Sequence, residues 1–60
     1  MGTLNQSEFN SIREVASSHI TTACKLEDYA QKCSDPQIKQ MFSQSAQGAR
    51  QSAKKLTDML

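Results

Sequence analysis

The chain has 60 residues, 22% of them charged, and a formal net charge of +1. This length builds one small domain at most, and so short a chain buries little apolar surface without a disulfide, a metal or a partner chain. A near-neutral balance gives no ground for nucleic acid or an anionic membrane as partner, and no apolar run is long enough to span a bilayer.

At the N-terminus no basic region leads into an apolar stretch, so a cleaved secretion signal is not expected. Met1-Gly2 opens as an N-myristoylation site does, but Gln6 stands where that motif wants Ser or Thr. The first helix then has a clear start. Asn5-Gln6-Ser7-Glu8 reads as a capping box with Asn5 as N-cap, and Leu4 and Phe9 stand at the positions of a hydrophobic staple. From there Phe9, Ile12, Ala16, His19, Ala23, Leu26, Ala30 and Cys33 recur at alternating spacings of three and four. That rhythm puts all of them on one face of an α-helix, predicted over about 6–33. Its middle, Ser17 to Thr22, is poor in helix formers and depends on packing.

Ser34-Asp35 is the predicted turn. Proline disfavours the helical conformation in the residue before it and suits the first position of a helix, so Asp35 is read as N-cap and Pro36 as the start of a second helix, about 36–58. Its seam is read as Ile38, Phe42, Ser45, Ala49, Ser52, Leu56 and Met59. Gly48 is its weak point, costing about 1 kcal/mol against alanine unless a close contact requires it. A short connection makes the two helices antiparallel neighbours. Their seams then oppose large residues to small, with Ala23 and Ala49 at the expected closest approach.

More apolar residues flank the seams: Val15, Ile20 and Tyr29 on the first helix, Met41, Ala46, Ala53 and Leu60 on the second. A lone hairpin has one interface and cannot cover them. The expected fold class is therefore all-α, an antiparallel two-helix hairpin that dimerises into a four-helix bundle.

Few residues suggest chemistry. His19, at a seam position, needs a hydrogen-bond partner if buried, a hydroxyl such as Ser52 or a backbone carbonyl. It also stands where two copies would meet in a dimer. Cys24 and Cys33 lie nine residues apart on one predicted helix, roughly 13 Å along its axis, beyond the reach of a disulfide. Free thiols fit a reducing, intracellular location. Cys33 is expected buried and inert, Cys24 off the seam. Glu8, Glu14, Glu27 and Asp28 avoid the seam and read as a solvated face, with weak pairs from Asp28 to Lys32 and from Lys54 to Asp58. Arg50, Lys54 and Lys55 form a basic cluster too small, with too few aromatic residues, for nucleic acid. No phosphate loop, Ser-His-Asp set or Cys-x-x-Cys pair is present. No enzyme activity, metal or cofactor is expected.

The stretch from Tyr29 to Phe42, with Tyr29-Ala30, Asp35-Pro36-Gln37-Ile38-Lys39-Gln40 and Phe42, resembles the hinge of short ferritin-like helical proteins of spore-forming Firmicutes, the spore coat F type. Larger ferritin-like proteins bind a di-metal centre through a Glu on one helix and Glu-x-x-His on another. Here Ser43 to Ser52 contains neither Glu nor His, and His19 follows Glu14 by five residues rather than three. The resemblance thus implies a dimerising hairpin in a sporulation or spore-coat setting, cytoplasmic, in the forespore or in the coat, without the metal chemistry. Its partner would be a second copy or another coat protein. The competing readings are a metal or redox protein using His19 with Cys24 and Cys33, and a regulatory hairpin that completes its bundle with a different protein.

Overall fold

The computed structural model describes residues 3–60; the Met1-Gly2 start, and with it the acylation reading, lies outside them. Two α-helices, α1 (Gln6–Lys32) and α2 (Pro36–Thr57), pack against each other, and the described residues contain no strand. The molecule is a rod with extents of 47 × 16 × 9 Å. Its radius of gyration is 14.2 Å, against about 10 Å for a compact domain of this length.

Helix α1 starts as its cap predicts. Asn5 Oδ1 accepts from the Glu8 backbone N–H at 2.7 Å, and Glu8 Oε1 accepts from the Asn5 N–H at 3.1 Å. Two otherwise orphaned donors are satisfied, an arrangement worth about 1 kcal/mol. In the weak middle, Ser18 Oγ and His19 Nδ1 both bond back to carbonyls four residues earlier, those of Glu14 and Val15. Such bonds satisfy the side chain locally without adding to helix stability.

The break falls one residue earlier than expected. Helix α1 ends at Lys32, and Cys33 leaves the helix as its extended C-cap, its N–H donating to the Ala30 carbonyl at 3.3 Å. Asp35 caps α2 through Oδ1, which accepts from the N–H groups of Gln37 (2.9 Å) and Ile38 (3.3 Å), and Pro36 supplies the first turn. At its far end α2 closes at Thr57, with Asp58 as its cap rather than its last residue. Both i,i+4 pairs form, Asp28 with Lys32 at 3.0 Å and Lys54 with Asp58 at 3.2 Å.

The core is made of alanine. Ala16, Ala23 and Ala30 on α1, and Ala46 and Ala53 on α2, are the only buried hydrophobic residues among those described, each series repeating every seven residues. On α1 the seam is as expected: its three alanines are buried, and Phe9, Ile12, His19, Leu26 and Cys33 are half-buried between them. Helix α2 is rotated about its axis from the expected seam. Ala46 and Ala53, read as flanking residues, face α1, while Ser45 is exposed and Ser52 only half-buried. Ile38 and Met59, read as seam residues, are exposed. The alternative series Phe42, Ala46, Ala49, Ala53 and Leu56 has the same three-four rhythm. It wins because a serine hydroxyl loses hydration when buried and alanine has none to lose.

Candidate interaction face

The alanine stripes point at each other, and this orients everything else. At 100° per residue, Ile12, Val15, His19, Leu26 and Tyr29 lie to one side of the α1 stripe. Ile38, Met41, Phe42, Ala49, Leu56 and Met59 lie to one side of the α2 stripe. Because the helices run antiparallel, these are the same side of the hairpin, and together they make one broad apolar face. The Tyr29 and Phe42 rings meet on it across the helices, with centroids 5.8 Å apart and planes tilted by 55°. From Ile12 to Met59 this face carries no charged residue; at its far end the Arg13 guanidinium lies over the Phe9 ring, 5.8 Å from the centroid. Its polar members are His19, Thr22, Ser45, Ser52 and the Tyr29 hydroxyl, with Cys33 at the loop end.

Several large side chains on this face are left open. Val15 is 44% exposed, Tyr29 51% and Met41 65%. No large side chain is fully buried anywhere among the described residues. The hairpin's total accessible surface is 4633 Å², where a compact monomer of this mass would expose about 3,900 Å².

His19 sits at the centre of the face, half-buried. Its Nδ1 lies 2.9 Å from the Val15 carbonyl oxygen. A carbonyl only accepts, so Nδ1 carries the proton, and in the neutral ring Nε2 is left as an acceptor. The partner is thus a carbonyl of its own helix rather than the Ser52 hydroxyl across the interface.

The opposite face is polar. Arg50 forms a two-pronged pair with Glu27 across the helices, Nε donating to Oε2 at 2.9 Å and Nη2 to Oε1 at 2.7 Å. Glu27, read as part of a solvated face, is half-buried. The hydrogen bonds from Arg50, with its charge, hold the Glu27 carboxyl below its ordinary value, partial burial opposing them, and the pair raises Arg50 in turn. Sequence reading missed this pair, because residues 23 positions apart share no local pattern. Ile20 belongs to this face as well, lining a shallow cleft of about 200 Å³ with Arg50, Ala53, Lys54 and Thr57.

The cysteines lie apart in setting. Cys24 is exposed on the polar side, its Sγ 3.8 Å from Arg50 Nη2. Cys33, expected to be buried, is half-buried at the turn because α1 ends before it, and its Sγ lies 3.7 Å from the Asp35 carbonyl oxygen. Both are free thiols. Among the described residues no three or more His, Cys, Asp or Glu side chains gather as a metal-binding set. No helix there is long and apolar enough to cross a membrane.

Comparison with protein-family models, curated proteins and solved structures gave no match.

Proposed function

We propose that this chain is a non-catalytic structural or interaction protein that works by pairing its apolar face with a second copy, forming a four-helix bundle. The observation that carries the reading is a core of five buried alanines beneath exposed Val15, Tyr29, Ile38, Met41 and Met59. Alanine contributes little on burial, whereas each valine- to phenylalanine-sized side chain taken out of water contributes about 1.5–3 kcal/mol. About half of the surface of these five exposed side chains is still in water in the lone hairpin, left for a partner to cover.

A second copy is the occupant that the numbers favour. The broad face of a rod 47 × 16 Å across is on the scale of the roughly 800 Å² per partner of a stable interface. The face has no charge to select an oppositely charged partner, and a two-fold axis matches such a face to itself. The resemblance of the Tyr29–Phe42 hinge to spore coat F proteins supports a sporulation or spore-coat setting. The assembled dimer would there serve as a building block or as a platform for another coat protein.

Val15→Glu tests this reading. Glutamate is the better helix former, so in an isolated hairpin the change at this exposed site is expected to be within about 0.5 kcal/mol. In the bundle it buries an unpaired carboxylate and splits the dimer. A variant as tightly associated as the parent would refute the reading. A chain that stays monomeric in both forms, with its apolar face free, would instead fit the regulatory hairpin that awaits a different protein.

A further inference from the structure

His19 is the only histidine of the chain and the central residue of the 27-residue α1. That position has a geometric consequence. Two hairpins joined on their apolar faces have two simple two-fold arrangements. An axis along the helices leaves every residue at its own level, so His19 and its copy face one another across the core. An axis across the helices inverts the levels about its crossing point, and where that point is the middle of α1 it is His19 that meets its own copy. Both arrangements bring the two imidazoles to one level at the centre of the bundle.

We propose that this histidine pair makes the association of two copies pH-dependent, tight when His19 is neutral and loosened when it is protonated. The proposal rests on the homodimer reading above. On its own helix, His19 has Val15, Ser18, Thr22 and Ala23 around it; the nearest acid in sequence, Glu14, lies on the outer side of α1. From α2 the face presents Ser45, Ala49, Ser52 and Leu56, none of them charged. The cations Arg50, Lys54 and Lys55 and the acid Asp58 belong to its other sides. A second copy brings the same inventory and one more imidazole. A proton on His19 therefore gains no carboxylate in the dimer. It meets a like charge at the centre and loses water, and both effects disfavour the protonated form.

The sign follows from linkage. Association lowers the proton affinity of each His19, so the dimer binds fewer protons than two separate chains, and acid favours separation. Dimer affinity is full above the pH at which the free chain's imidazole titrates and is lost below it. With two protons per dimer the limiting dependence is about a hundredfold per pH unit.

The dissociation constant, measured by analytical ultracentrifugation at about pH 7.5 and about pH 5.5, spans the range in which histidine ordinarily titrates and acidic side chains and thiols do not. The expected result is a rise of at least about tenfold on acidification, abolished in His19→Leu, which should remain dimeric at both pH values. A dimer equally tight at both values overturns the histidine pairing and leaves the homodimer standing. A pH dependence that persists in His19→Leu also overturns the pairing. A monomer at about pH 7.5 overturns the homodimer and the pairing together.

Discussion

Glu27 and Arg50 form the one ion pair that links the two helices among the described residues. Both side chains are nearly half exposed, so its weight in stability is limited by solvent screening. Its pH signature is more informative. The folded-state carboxyl sits below its ordinary value of 4.5, so the contribution is present above that pH and lost as pH falls through the folded value. Glu27→Gln should flatten the acid limb of a stability profile measured by urea unfolding, while leaving its neutral limb parallel to the parent. An unchanged acid limb would show that the pair is idle. Neither residue announced itself in the sequence, where Glu27 was one acid among several and Arg50 one of a basic cluster. Such long side chains reach across a groove from positions that periodicity assigns to the surface. His19 was legible as a seam residue, because its spacing alone placed it there; its bond to the Val15 carbonyl was one of two options open to any helical histidine.

At the scale of the elements, caps and breaks were readable because each depends on residues within one turn: Asn5 with Glu8, Asp35 with Gln37 and Ile38. The rotation of α2 was not readable in the same way. Two overlapping stripes share Phe42, Ala49 and Leu56, and only the cost of burying serine separates them. A paired substitution tests the choice. Ala46→Leu should cost about 1–3 kcal/mol in thermal or urea unfolding, because a buried contact 1% exposed has no room for it. Ser45→Leu, at the exposed neighbour, should be tolerated by the hairpin. The reverse order would restore the seam through Ser45. Gly48 gives an independent check within α2. A Cβ placed there meets nothing within 4 Å, so no close approach needs the glycine. Gly48→Ala is expected to stabilise the protein by about 0.5–1 kcal/mol in the same unfolding measurements.

For the whole molecule, the hairpin was evident in the two three-four rhythms and the Asp35-Pro36 break. How thoroughly alanine dominates its core was not, since periodicity counts apolar positions without weighing their size. Heptad-spaced alanines let two helices approach closely but remove few large side chains from water. Close approach and a thin core are the same fact, and the larger apolar residues other than Ile20 are pushed to the side of the interface, most of them onto one shared face. That arrangement leaves a face of the right size for a second copy to cover. The most direct test is solution mass by light scattering over a concentration series under reducing conditions. Pairing of two hairpins predicts a stable species of twice the 6.7 kDa chain that holds on dilution through the micromolar range. A folded, helical monomer at every concentration would contradict it.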